Sequence, residues 1–474
     1  MACKDYHDHG PDEGFRRVLD YEGGDWNVAE DGTVSQDAFA YHISLACNHC
    51  ASPACTQVCP TGAMHRDETG LIWPDITKCI GCGYCTMACP YHAPVIDKEL
   101  KRSSKCDGCR ERLAAGQAPI CVEACPLARL GFRGEGRHLR APCRMVGRGA
   151  RRHPSFAFGN GDRAQFIHPA LPRCCPRSQG RAGQPQGNRL MTSGLDNLSL
   201  ALFTALAPAG VVAFIIMALA RLFAIDHERA VRIDRMIALP FAVALVGFIA
   251  SATHLGTPAN ALHVFSGVGT SPLSNEVLAA VMFLFLAGSY WMVAFKVNFP
   301  DAAAKPWLLV ACLAGIALLA CTSQAYAVRT VPTWNTPYSP ANLLLTGLFE
   351  GTVLSQLFLA AAKVPLSRWS FLLVGLGAAS LAAGVISMLA QNAYLASIAN
   401  NEISAASLAP GYPLVIGIFA LVGAGALLLD GWALRPRATE CARLILRIAA
   451  AILAFAAVFA TRIVFYNLHM TVGF

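Results

Sequence analysis

Apolar positions are distributed along this chain in three different ways. From residue 191 onward they gather into eight runs, at about 198–222, 237–255, 276–296, 306–327, 342–363, 369–391, 413–431 and 443–466. Each approaches or exceeds the ~20 residues an α-helix needs to cross a bilayer. A backbone in lipid must satisfy its own polar groups, so these runs predict helices. Residues 1–132 are mixed and cysteine-rich. Residues 133–190 show neither helical nor strand periodicity and hold six Pro and nine Gly. The pattern predicts an α+β domain over 1–132, a disordered linker over 133–190, and an all-α eight-helix transmembrane bundle over 191–474.

Charge sharpens this division. The net charge is +8, but twelve arginines against Glu135 and Asp162 give segment 133–190 a charge of +10 and leave −2 for the rest. The excess is confined to one stretch, which argues against a nucleic-acid-binding surface. Residues 1–30 contain no apolar core of signal-peptide length. Arg16-Arg17 runs into VLDYEGGDW, so no export signal is expected there.

Thirteen of the 19 cysteines lie within residues 1–125. Three runs are complete: Cys47, Cys50, Cys55, Cys59-Pro60; then Cys79, Cys82, Cys85, Cys89-Pro90; then Cys106, Cys109, Cys121, Cys125-Pro126. The second run has the C-x2-C-x2-C-x3-C-P spacing of bacterial [4Fe–4S] ferredoxins. Soft thiolates in a tight loop suit a cubane, and Gly81 and Gly83 give that loop backbone freedom. CxxC pairs also occur in zinc ribbons, but three runs each closed by Cys-Pro favour iron–sulfur chemistry. In two-cluster ferredoxins the fourth cysteine of one run ligates the other run's cluster. By that rule Cys47, Cys50, Cys55 and Cys89 hold one cluster, and Cys79, Cys82, Cys85 and Cys59 a second.

The stretches FAYHISLACNHCASPACTQVCPTGAMHRDETG, CIGCGYCTMACPYHAP and SSKCDGCRERLAAGQAPICVEACPL resemble the iron–sulfur subunit of dimethyl sulfoxide reductase across roughly residues 1–132. That family carries four runs and four cubanes. Met1-Ala2-Cys3-Lys4-Asp5-Tyr6 looks like the tail of its first run. The resemblance implies that Cys3 joins Cys106, Cys109 and Cys121 around a third cluster. It leaves Cys125 orphaned and the fourth cluster lost, at the end facing the molybdenum subunit. The cluster of Cys79, Cys82, Cys85 and Cys59 is expected nearest the membrane.

The likeness stops near Leu130-Gly131-Phe132. Twelve Arg without one Lys is what out-of-frame translation of GC-rich DNA gives, and Met191-Thr192-Ser193-Gly194 reads like the start of a separate subunit. A frameshifted fusion of two genes and a true flexible linker are the two readings. Cys143, Cys174, Cys175 and the nearby histidines fit no zinc module well.

Eleven Lys and Arg fall in the loops after runs 1, 3, 5 and 7, and only Arg329 in those after runs 2, 4 and 6. The positive-inside rule places the first set in the cytoplasm. Both ends of the bundle, and with them the iron–sulfur domain, then face the periplasm of a bacterial or archaeal cytoplasmic membrane. IASATHLGTPANALHVFSGVGTSPLSNEV and RIVFYNLHMTVG resemble the anchor subunit of the same reductase. That family has no haem and oxidises menaquinol, and its implicated residues correspond to His254 and Glu276. The residues agree: a histidine at the outer end of the second run and a carboxylate opening the third can take up the two protons of a quinol. Helix-end capping and dipole complementation are the bland alternatives. Glu350, deep in the fifth run, pairs plausibly with Arg462, while Asp430, His263 and His469 read as interfacial. Few histidines lie at depth, so no haem is expected.

The function expected is therefore the electron-transfer and membrane-anchor part of an anaerobic molybdenum-dependent reductase. It oxidises menaquinol and passes electrons through three [4Fe–4S] clusters to a molybdopterin-containing catalytic subunit. Terminal reduction occurs on that other subunit. The alternatives are another acceptor or donor (tetrathionate, polysulfide, formate), an ion-translocating protein, or a non-functional fusion product.

Overall fold

The computed structural model describes residues 2–10, 14–29, 31–97, 99–125, 197–223, 226–296, 300–364, 368–399 and 404–471. The readings of segment 133–190, and of Cys143, Cys174 and Cys175, lie outside these residues. In chain order the elements are α1 (Ala2–Tyr6), β1 (Arg16–Gly23), β2 (Trp26–Val28), β3 (Val34–Gln36), β4 (Phe39–Ala46), α2 (Ala54–Gln57), β5 (Met64–Arg66), β6 (Ile72–Pro74), α3 (Tyr84–Ala88), β7 (Val95–Ile96), β8 (Ser103–Ser104), α4 (Arg110–Ala114) and α5 (Ile120–Glu123). The helices α6 (Leu198–Leu222), α7 (His227–Met236), α8 (Ala238–Ala252), α9 (Pro272–Lys296), α10 (Asp301–Ala325), α11 (Tyr338–Ala361), α12 (Arg368–Leu395), α13 (Tyr412–Ala433) and α14 (Glu440–Asn467) follow.

The chain divides into two compact units. One contains α1, the β1–β4 hairpin, α4 and α5. Its long strands pair antiparallel from Arg16 opposite Ala46 to Gly23 opposite Phe39.

The other unit joins residues 48–67 and 72–105 to everything from 191 onward. Its ferredoxin-like part repeats one small theme, a short helix followed by a two-stranded antiparallel ladder: α2 with β5–β6, then α3 with β7–β8. Among the described residues eight helices are long and apolar enough to cross a membrane, with α7 and α8 counted as one continuous span. The eight runs read from the sequence all reappear, most with ends shifted by a few residues.

Helix α6 is the hub. Small residues bring its neighbours close, as is usual where packing and not water drives helix association. A Cβ on Gly210 would stand 2.5 Å from Ala244 N of α8, and one on Gly351 of α11 would stand 2.6 Å from Val212. One apolar core is built mainly by α6–α10 and a second by α11–α14. Large apolar side chains such as Leu421, 77% exposed, point outward, where lipid replaces water as the solvent.

At one end of the bundle the buried Arg221 is tied into a network. Its Nε donates to both carboxylate oxygens of Asp234, at 3.0 and 2.9 Å, and an Nη to Asp301 at 2.8 Å. Tyr290 adds its hydroxyl to Asp234 at 2.6 Å. A buried carboxylate stripped of its cation is strongly unfavourable, so Arg221→Ala is expected to cost about 3–5 kcal/mol. Thermal unfolding in detergent should show a clearly lowered midpoint, and an unchanged midpoint would show that the network carries no stability.

Asp430 lies three residues before the end of α13 and is 1% exposed, within electrostatic reach of Arg447. Arg447 itself donates to the Gln356 carbonyl at 2.8 Å. Glu350 and Arg462 do not form the expected direct pair. Arg462 donates to the Asn342 carbonyl at 3.1 Å and to Thr346, and both Glu350 oxygens lack a hydrogen-bond partner.

Candidate functional site

The spacing Cys79-Ile80-Gly81-Cys82-Gly83-Tyr84-Cys85 folds into a loop because both glycines take left-handed backbone conformations, φ +69° and +71°. Gly83 then caps α3, which carries Cys85. A Cβ on Gly81 would stand 2.1 Å from the Lys101 carbonyl oxygen, so only glycine fits.

Cys59, Cys79, Cys82 and Cys85 line a single cavity, with Ile80, Ile96 and Met64 among its apolar walls. These four form no disulfide. Met64 N–H donates to Cys59 Sγ at 3.3 Å and Ser103 N–H to Cys79 Sγ at 3.3 Å. The Ser103 hydroxyl lies 3.3 Å from Cys85 Sγ. Burial pushes the Cys85 thiol up to about 12 and raises Cys82 as well. Thiolates gathered in so apolar a place need a metal centre to hold their charge. Four convergent sulfurs, donors aimed at them and a dry wall fit a [4Fe–4S] cluster.

The remaining sulfurs divide between the two units. Cys50 and Cys89 both lie within electrostatic reach of Tyr91, and Cys55 is buried beside Met64 and Ile72. Cys47 is the last residue of the N-terminal unit's first segment. In that unit α1 packs on α5. Cys3 thereby comes within electrostatic reach of Cys121 and Cys109, and its thiol is pushed up to about 11, chiefly by burial. The Cys106 sulfur accepts from Gly108 N–H at 3.4 Å. His7, which no cysteine motif includes, sets its Nε2 3.8 Å from Cys109 Sγ.

The cavity-lining loops are fastened to one end of the helical bundle, inside the same compact unit. The turn after α8 reaches the Cys79 loop. Thr257 N–H donates to the Ile80 carbonyl at 3.0 Å, and Asn260 to the Cys79 carbonyl at 2.9 Å. The start of α9 and the segment before it hold the Cys59-Pro60 loop. Ser271 bonds the Val58 carbonyl and Ser274 the Pro60 carbonyl, both at 2.9 Å, while Ser266 bonds Thr61 at 3.1 Å. Thr330 reaches the Ala88 carbonyl at 2.7 Å, His469 Nε2 lies 2.9 Å from the Met87 carbonyl, and Tyr84 donates to the Ala325 carbonyl. A Cβ on Gly256 would stand 2.0 Å from the Lys101 oxygen, and one on Gly267 2.3 Å from the Pro60 oxygen. No sequence motif flags these docking residues. The only cue is the long, small-residue loop between the second and third apolar runs.

His254 and Glu276 each lie within a few residues of a docking contact. His254 is in the turn beyond α8, not in the helix. Its Nδ1 has no partner, and burial lowers its pKa below the ordinary histidine value. Glu276 does not open α9, which starts one turn earlier at Pro272. It is 3% exposed, lies near Thr322 of α10 and leaves Oε1 without a partner. At that depth dipole complementation is a weak account of it.

Residues 191–468 match the family described as DMSO reductase anchor subunit (DmsC), and residues 38–134 match the 4Fe-4S dicluster domain. The protein is 54% identical to the B subunit of the anaerobic dimethyl sulfoxide reductase of Haemophilus influenzae over 132 residues, which is 28% of this protein and 64% of that relative. It is 34% identical to the anaerobic dimethyl sulfoxide reductase subunit YnfH of Escherichia coli over 287 residues, 60% of this protein and 98% of that one. The thiosulfate reductase electron transfer subunit PhsB of Salmonella typhi is 39% identical over 133 residues, 28% of this protein and 66% of that one. The match thus spans somewhat less than two thirds of the length of the Haemophilus influenzae relative.

Proposed function

Because this chain belongs to the DMSO reductase anchor subunit family, with a 4Fe–4S dicluster region ahead of the anchor, we propose that it oxidises menaquinol and passes the electrons to a separate molybdopterin-containing catalytic subunit. The observation that carries this reading is the docking of the Cys59 and Cys79 loops on the bundle end that also holds His254 and Glu276. An electron donor bound there would sit at the end of the bundle that carries the Cys59 and Cys79 loops.

In this reading Cys79, Cys82, Cys85 and Cys59 hold the membrane-proximal cluster. Cys47, Cys50, Cys55 and Cys89 hold a second, and Cys3, Cys106, Cys109 and Cys121 a third. Bound clusters would supply one-electron carriage. The chain's own residues do the rest. Quinol oxidation releases two protons with two electrons, and the neutral His254 imidazole and the Glu276 carboxylate are the two acceptors at that face. Serine, threonine and asparagine bonds to loop carbonyls fix the distance between donor and cavity. The Lys and Arg distribution supports a periplasmic position for the docked end. The likeness to a thiosulfate reductase subunit over the cysteine region means that these residues alone do not select the terminal acceptor.

The test is anaerobic reconstitution of the full chain in detergent with iron and sulfide, followed by addition of a reduced menaquinol analogue. About twelve iron atoms per chain are expected for three cubanes, together with an EPR signal that the quinol induces. Bound zinc, or iron centres that the quinol leaves oxidised, would overturn the reading.

A further inference from the structure

The second half of the bundle contains buried polar atoms that the proposed electron route does not use. Both carboxylate oxygens of Glu350 lack a hydrogen-bond partner, as do Arg462 Nε, Asn342 Oδ1, Gln391 Nε2 and Ser387 Oγ. Glu350 is 1% exposed and Arg462 3% exposed. Glu350 stands 11 positions from the end of its 24-residue helix, about 17 Å at 1.5 Å per residue, which is near mid-membrane. A carboxylate there with no partner is costly, and a purely structural charge pair would be expected to close into contact. The unpartnered atoms are spread over α11, α12 and α14.

This region connects with the quinol face through a series of one-turn steps. Glu276 lies near the Thr322 hydroxyl, and one turn further along the same chain segment is Tyr326. Its hydroxyl lies 2.7 Å from the hydroxyl of Tyr466 on α14. Glu276 is within electrostatic reach of both tyrosines. One turn back along α14 from Tyr466 is Arg462, which bonds Thr346 of α11. One turn on from Thr346 is Glu350. The Tyr326–Tyr466 and Arg462–Thr346 steps are hydrogen bonds, and every step along a helix joins residues on one face.

We propose that Glu350 is a proton-binding site of the quinol reaction, reached from Glu276 through the Tyr326–Tyr466 hydroxyl pair. The inference rests on the quinol reading above. A quinol O–H bond breaks, its proton binds the Glu276 carboxylate, and the electrons leave toward the iron–sulfur region. The proton then passes from Glu276 through the two hydroxyls, each of which can donate and accept, and through water to a Glu350 oxygen. Arg462 has no acceptor lone pair and does not carry the proton. It orients Thr346 through its hydrogen bond.

The test is infrared difference spectroscopy of the full reconstituted chain, with quinol oxidation triggered electrochemically, on wild type, Glu350→Gln and Tyr466→Phe. Wild type is expected to show a protonated-carboxyl band rising with turnover. Glu350→Gln should lose that band with its iron content unchanged. Tyr466→Phe should keep the band but form it more slowly, and quinol oxidation should fall about tenfold or more in both variants. A band that persists in Glu350→Gln, or wild-type rates in both variants, overturns the assignment of Glu350 and leaves the quinol reading intact. A wild-type chain that does not oxidise quinol overturns both.

Discussion

Replacing Cys59 by serine is expected to remove about four iron atoms from each chain and to stop quinol-driven reduction of the remaining centres. Cys59 stands 20 residues before Cys79 in the chain, yet its sulfur lines the same cavity as those of Cys79, Cys82 and Cys85. The Met64 N–H and the nearby Thr61 hydroxyl are arranged around that sulfur. A serine oxygen is a harder, shorter-reaching ligand and does not replace a thiolate on iron. The iron lost should belong to the cluster of Cys79, Cys82 and Cys85. The cluster of Cys47, Cys50, Cys55 and Cys89 should survive if, as proposed, the runs share ligands crosswise. Iron and sulfide analysis with EPR on the purified variant decides this. Full iron content, or loss of the other cluster's signal, would break the crosswise assignment.

Glu276→Gln is expected to slow menaquinol oxidation by on the order of 10²-fold or more, the usual scale for losing a positioned proton acceptor, while leaving iron content and EPR spectra unchanged. Glutamine keeps the shape and the Thr322 contact but cannot accept a quinol proton. The partner acceptor gives a pH signature. Burial lowers the His254 pKa below its ordinary value of 6.5, so the imidazole is neutral at pH 7 and ready to take a proton. His254 therefore contributes an acidic limb that sets in only as pH drops through that lowered pKa. His254→Ala should remove this acidic limb. Stopped-flow quinol oxidation across pH measures both effects. A wild-type rate in Glu276→Gln would return the residue to a structural role.

Local sequence determined what depends on local chemistry. Hydrophobic runs of membrane-spanning length can be satisfied only as helices, so all eight spans were legible. The C-x2-C-x2-C-x3-C-P spacing wraps sulfurs because its glycines accept left-handed backbone, so the metal-binding loop was legible too. His254 and Glu276 stood out because the stretch that holds them resembles the anchor subunit and their side chains suit proton uptake. Tertiary structure alone decided which loop meets which helix end. Thr257, Asn260, Ser271 and Ser274 look ordinary in sequence, since a serine bonding a distant carbonyl has no periodicity to betray it. The same holds for the depth of Asp430, the open spacing between Glu350 and Arg462, and the Tyr326–Tyr466 contact. These depend on contacts between residues far apart in the chain, or on side-chain packing across helices, and only the packed bundle fixes them.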